Sequence, residues 1–136
     1  LNHLFLLMDI LNQCTNSAVG SKRYRLTVHC QGGHSYADFG KENAIETLSK
    51  IMYELSHQQI PTEAKTTYNF GKIEGGTTIN AIASTATLLY EYRSSMQNCL
   101  DIMEKQFQEI VSHYSNVEIE ILGVRPGNGL LNQEKI

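Results

Sequence analysis

The sequence predicts an α+β fold, a ferredoxin-like two-layer sandwich of order β-α-β-β-α-β with two helices on one face of a four-stranded antiparallel sheet. Three observations predict it. Four segments alternate apolar and polar residues with the period of a half-buried strand, two carry apolar stripes at helical spacing, and the six follow one another as two split β-α-β units. The chain has room for one core: 136 residues, 41% hydrophobic and 18% charged, fit a globular domain and exclude a disordered or fibrous chain.

In the first strand Tyr24, Leu26, Val28 and Cys30 alternate with Arg25, Thr27 and His29, and Gly32 and Gly33 end it. Asn43 is placed as an N-cap, with Glu46 three residues later, for a helix whose stripe is Ala44, Ile45, Leu48, Ile51, Met52 and Leu55. Pro61 stops its extension. Lys65 to Ile73 reads as the second strand, in which Phe70 and Ile73 are three apart and share a face only if a bulge lies near Gly71. After the Gly75-Gly76-Thr77-Thr78 loop, Ala86, Leu88, Tyr90 and Tyr92 form the inner face of a third strand that ends near Arg93. Ser94 and Gln97 have capping-box spacing ahead of a second helix with the stripe Met96, Leu100, Met103, Phe107, Ile110 and Val111, ending near Tyr114. Val117, Ile119 and Ile121 alternate with Glu118 and Glu120 as the fourth strand, and Pro126-Gly127-Asn128-Gly129 breaks the chain. Residues 1–20 then read as a leading segment, 21–124 as the folded unit and 125–136 as an exit segment. The chain opens on Leu1 instead of Met, as expected of a piece of a longer protein.

Charge excludes a general nucleic-acid binder: 11 Lys+Arg against 14 Asp+Glu leave a net −3, and only Lys22, Arg23 and Arg25 cluster. The strand at Tyr24 also lacks the aromatic pair on which RNA-recognition domains stack bases. The longest apolar run, Leu4 to Met8, falls far short of the ~18 residues of a membrane span, so no membrane partner is expected. Cys14, Cys30 and Cys99 are odd in number and far apart, which suits a reducing, cytoplasmic compartment.

No self-sufficient catalytic motif occurs: no His-Glu-x-x-His, no Gly-x-Ser-x-Gly, no phosphate-binding glycine loop. The nearest approach to a metal site is His29, Cys30 and His34, but neighbours on a strand point to opposite faces, so no metal ligand is assigned. His3, His57 and His113 read as surface residues. Two glycine-flanked segments stand out. Gly32-Gly33-His34-Ser35 sets an imidazole on a turn beyond a strand end, and Gly75-Gly76-Thr77-Thr78-Ile79-Asn80 sets an amide after a second glycine turn. Taken singly, each is ordinary turn chemistry.

Together they resemble a known pattern. Val19 to Val28, Gly32-Gly33-His34-Ser35-Tyr36, Phe39-Gly40 and Asn43-Ala44 in the first half, with Thr67-Tyr68-Asn69, Gly75-Gly76-Thr77-Thr78-Ile79-Asn80-Ala81-Ile82 and Glu91-Tyr92-Arg93-Ser94 in the second, are similar in order and spacing to the lid domain of the zinc-dependent peptidase and aminoacylase family M twenty, which includes peptidase T, carboxypeptidase G and succinyl-diaminopimelate desuccinylase. The tripeptidase-like branch is the nearest. The resemblance covers roughly residues 17–126 and departs at Ala83, commonly proline in the family, and at Tyr92, often aliphatic there.

The resemblance implies a lid inserted in a larger catalytic domain that holds two zinc ions, with no ion bound by this chain, and a homodimer formed through the lid. It implies that the parent hydrolyses an amide bond of a small peptide or N-acyl amino acid. His34 matches the lid histidine that donates to the developing oxyanion, across the dimer; Asn80 matches a residue that hydrogen-bonds substrate; Arg93 matches one that clamps a substrate carboxylate; Gly75 and Gly76 would let backbone approach the ligand. The reading from another class is a ferredoxin-like regulatory or purely structural dimerisation module, which needs no outward His34 beside Asn80.

Overall fold

In the computed structural model, residues 19–127 are described. The order is β1 (Gly20–His29), β2 (Gly33–His34), α1 (Ala44–Ser56), β3 (Thr66–Gly75), β4 (Ala81–Ile82), β5 (Thr85–Ser94), α2 (Gln97–Ser112) and β6 (Val117–Arg125). The main sheet has four strands in the order β3-β5-β1-β6, every pairing antiparallel, which is the expected split β-α-β topology.

Alternation in the sequence becomes alternation in burial. Tyr24, Leu26 and Val28 on β1 and Ala86, Leu88, Tyr90 and Tyr92 on β5 face the helices and are buried. The bulge lies where two apolar residues three apart require it: pairing passes from Phe70 opposite Tyr90 to Lys72 opposite Leu89, skipping Gly71, so Phe70 and Ile73 share a face. A second bulge skips Leu122, because Tyr24 pairs with Ile121 and Arg23 with Gly123, and it carries β6 on to Arg125, beyond the predicted end at Ile121. β1 likewise starts four residues ahead of its clear alternation.

Asn43 caps α1, its Oδ1 accepting from the backbone N–H groups of Ile45 at 2.9 Å and Glu46 at 3.3 Å. The predicted Ser94–Gln97 capping box does not form. Ser94 pairs with both β1 and β3 and stays in the sheet, its Oγ accepting from Thr66 Oγ1, while the N-cap position falls to Met96, which makes no side-chain cap. Gln97 reaches instead to Asp101 and to the Gly127 amide.

At the centre of the core, the Tyr24 ring stacks on Phe107 with centroids 4.1 Å apart, and the Tyr24 and Tyr92 hydroxyls share a buried 2.7 Å hydrogen bond. Tyr92 is therefore a core residue, closed off from any ligand. Ser21 pairs with Arg125, so the sheet's first and last strands start and finish side by side. The loop after β1 lies at the opposite end. No helix among the described residues is long and apolar enough to cross a membrane.

Candidate functional site

The loop from β1 to α1 carries His34 and is built around it. Gly32 (φ +82°) and Gly33 (φ +155°) take backbone conformations that other residues avoid, and a Cβ on Gly33 would come within 2.7 Å of Asp38 Oδ2. That close approach is used: the His34 amide donates to Asp38 Oδ2 at 2.8 Å, and the Asp38 amide returns a bond to the His34 carbonyl at 2.9 Å. The His34 amide, and after it Lys41, whose Nζ lies 3.4 Å from Oδ1, hold the Asp38 carboxyl below its usual range.

The imidazole is oriented by the same turn. His34 Nδ1 accepts from the backbone amides of Tyr36 at 3.2 Å and Ala37 at 3.3 Å. A nitrogen that accepts two N–H groups carries no proton, which assigns the neutral ring's hydrogen to Nε2. The exposed ring thus presents an N–H donor outward.

Asn80 is brought to the same place. β2 and β4 form a two-stranded sheet with Gly33 opposite Ile82 and His34 opposite Ala81, and the Ser35 amide donates to the Asn80 carbonyl at 3.0 Å. Thr78 Oγ1 donates to Asn80 Oδ1 at 3.0 Å, which leaves the Nδ2 amine as that side chain's outward donor. Beside the pair lies a hollow of about 500 Å³ whose lining includes Ser35, Phe39, Asn43, Ile79 and Ala81. Its lining is mixed: Phe39 is 90% exposed and Ile79 wholly exposed, beside Lys41 and Glu46.

Gly75 and Gly76 lie next to this lobe, but packing accounts for them. A Cβ on Gly75 would meet Ala86 Cβ at 3.0 Å and Ile45 at 3.2 Å, and one on Gly76, at φ +81°, would meet Ile45 at 3.1 Å. Ile45, expected on the buried stripe, is 45% exposed and covers this glycine turn. A hollow of about 250 Å³ is bounded by Glu74 to Thr77 and Ser84 to Thr87.

Arg93 is not part of the group. It sits opposite Ser21 at the far end of β5, eight residues or roughly 26 Å from Thr85, and its Nε and Nη2 donate to Glu91 at 3.1 and 3.3 Å. Arg23 joins the same carboxylate at 3.3 Å.

Among the described residues no group of three or more His, Cys, Asp and Glu could hold a metal ion. His29 pairs with Glu118 on the exposed sheet face, while Cys30 turns toward Asn116 and Glu42. His57 bonds the Tyr53 carbonyl; His3 lies outside the described residues. Sequence reasoning missed Asp38 and Thr78. Both are short polar side chains two to four residues from the group they hold, a turn signal that carries no period.

A family model described as a peptidase dimerisation domain matches residues 16–118. Among solved structures, the chain is similar to aminobenzoyl-glutamate utilization protein from Klebsiella pneumoniae (TM-score 0.69, 14% identity, 82% of this chain and 30% of that one). It is also similar to a hydantoinase/carbamoylase family amidase from Burkholderia phymatum (0.68, 18%, 85% and 32%) and one from Burkholderia ambifaria (0.67, 15%, 80% and 29%). The chain spans about a third of the length of these structures, and at such identities the likeness is one of fold. No curated protein matches. With the family match running from before β1 into β6, the chain belongs to the peptidase dimerisation domain family.

Proposed function

We propose that this chain is the lid and dimerisation domain of a cytoplasmic, zinc-dependent hydrolase that cleaves an amide bond in a small peptide or N-acyl amino acid. The observation that carries the reading is the orientation of His34: two backbone amides hold Nδ1, so an N–H faces outward beside the Asn80 amide, as stabilising an oxyanion requires. The amidase names of similar structures support the amide-bond chemistry. Among the described residues, what the chain offers to a substrate is hydrogen-bond donors, the His34 N–H and the Asn80 amide. Binding places Asn80 Nδ2 on a substrate oxygen, and His34 Nε2–H donates as charge develops on the carbonyl oxygen.

The separation of Arg93 from His34 gives the site a second feature. One copy of the domain cannot set both on one small substrate, since roughly 26 Å of β5 divides them. His34 and Asn80 from one copy and Arg93 from another would complete a site, with Arg93 near the paired strand ends at Ser21 and Arg125. Self-association through a sheet edge suits this: β3, which covers the predicted edge segment Lys65 to Ile73, and β6 end the sheet, and they expose Ile73, Ile121, Leu122 and Val124.

Mixed dimers of the whole protein test both statements. His34→Ala and Arg93→Ala should each lower kcat/KM strongly, the first through kcat and the second through KM. In the heterodimer one of the two sites holds both residues, so random subunit exchange of an equal mixture, half of whose dimers are heterodimers, should restore about a quarter of wild-type activity. Unchanged activity in His34→Ala refutes the donor role, and exchange without recovery refutes the shared site.

A further inference from the structure

The loop that carries His34 is closed at its base by a side chain more than seventy residues further along the sequence. Its arms leave β1 at Cys30 and reach α1 through Glu42 and Asn43. Asn116, in the turn between α2 and β6, lies between the arms: its Nδ2 donates to the His29 carbonyl at 2.8 Å, to Glu42 Oε2 at 3.0 Å and to Cys30 Sγ at 3.4 Å. Its backbone carbonyl accepts from the His29 amide at 2.9 Å. Glu42 Oε2 also accepts from Thr47 Oγ1 at 2.7 Å, which ties the second arm to the first turn of α1. Two backbone bonds, Cys30 N–H to Ser84 and Ala44 N–H to Ala83, hold the arms against the β4–β5 connection that follows Asn80.

We propose that Asn116 is a positioning residue: by joining the Cys30 and Glu42 arms it fixes the base of the His34 loop against the Asn80 segment and so sets where the His34 N–H points. An amide suits the task because one nitrogen carries two protons and can serve acceptors on both arms, while an ionised Glu42 strengthens its share. The Thr47 and Asn116 hydrogen bonds hold the Glu42 carboxyl below its usual range, so it is ionised at neutral pH. The middle of the loop is held to the Asn80 segment by the β2–β4 pairing and the Ser35 amide, whereas Asn116 joins the two arms at its base. Asp38, Lys41 and His34 bond one another within the loop and leave its attachment to the sheet unchanged. The importance of this brace rests on the donor role proposed for His34, but its existence can be measured without catalysis.

Amide hydrogen exchange on this chain tests it. Asn116→Asp keeps the shape, removes both donors and sets a carboxyl against Glu42, and Asn116→Ala removes the group. Either should speed exchange across residues 31–42 by roughly tenfold or more, with the Leu26 and Leu88 amides in the sheet changing less than about threefold. Glu42→Gln keeps an acceptor and should stay near wild type, whereas Glu42→Ala should follow the Asn116 variants. An unchanged loop overturns the proposal, and so does equal acceleration of loop and sheet, which would mark Asn116 as a contributor to global stability only. In the whole protein, Asn116→Ala should then lower kcat with little change in KM. Loosened exchange combined with full activity in His34→Ala would keep the brace and refute the donor.

Discussion

The buried tyrosine pair makes a demanding prediction about stability. Tyr24 lies directly opposite Tyr90, and Tyr92 is the diagonal neighbour two residues on, so the 2.7 Å bond between the Tyr24 and Tyr92 hydroxyls crosses from β1 to β5 on the helix-facing side. Burial pushes both hydroxyls above the ordinary tyrosine range, as expected where neutral, paired hydroxyls are favoured. The two are not equivalent. Both are wholly buried, but Tyr24 also faces Lys22, whose Nζ sits 5.7 Å from its ring centroid, whereas Tyr92 has Tyr24 as its hydrogen-bond partner. Tyr24→Phe therefore strands a buried hydroxyl and should cost about 1–3 kcal/mol, while Tyr92→Phe leaves Tyr24 a polar neighbour and should cost about 0.5–1.5 kcal/mol. The double variant removes both polar groups, leaves none stranded, and should lose less than the sum of the singles. Urea unfolding of the four proteins at a shared m-value measures this directly, with Tm shifts of about 3–5 °C per kcal/mol as a check. Single variants of equal, negligible cost, or an additive double variant, would refute the claim that the hydroxyls depend on each other.

Two further predictions concern the loops. The Asp38 carboxyl is held low by the His34 amide and Lys41, so its contribution to loop order is complete above the unfolded carboxylate value near ~3.9 and is lost as pH falls through the lower folded value; the His34 amide resonance should titrate with it, and Asp38→Asn should abolish that titration. Gly75→Ala, with Ala86 and Ile45 within 3.2 Å of the new Cβ, should destabilise by about 1–2 kcal/mol in thermal unfolding, whereas Gly71→Ala, with nothing closer than 3.8 Å, should range from neutral to about 0.5 kcal/mol stabilising.

The main sheet and both helices were legible because each repeats a period over many residues, and a period survives ignorance of what it packs against. Even the Gly71 bulge could be read, since Phe70 and Ile73 are both apolar and only an extra residue sets them on one face. What escaped depends on partners distant in sequence. The β2–β4 pairing spans two residues a strand, too short for a period, and exists because Gly33 and Ile82 meet across almost fifty residues of chain. Ser94 has the right spacing for a cap, yet pairing on both sides keeps it in the sheet. Asn116, between the second helix and the last strand, carries no sequence signal of its own and bridges two arms that it adjoins only in the folded chain.

The glycine pair at 75 and 76, which borders a hollow of about 250 Å³, also answers a packing demand. Its resemblance to a ligand-approach loop is carried by sequence, and the space that the missing side chain leaves is filled at Gly75 by Ala86 and Ile45 and at Gly76 by Ile45, on β5 and at the start of α1. With that contact closed and the Gly76 amide bonded to the Thr85 carbonyl at 3.2 Å, the chain turns tightly enough for Thr78 and Asn80 to reach the His34 loop, where the Ser35 amide meets the Asn80 carbonyl. Ile45 itself follows the Asn43 cap, the last residue of the His34 loop, so the packing that demands glycine also fixes the start of α1 against β5. The glycines act by setting the distance between two donor-bearing loops, and the groups left facing outward are the His34 N–H and the Asn80 amine. A side chain at 75 or 76 should therefore disturb the relation between His34 and Asn80 before it obstructs any ligand.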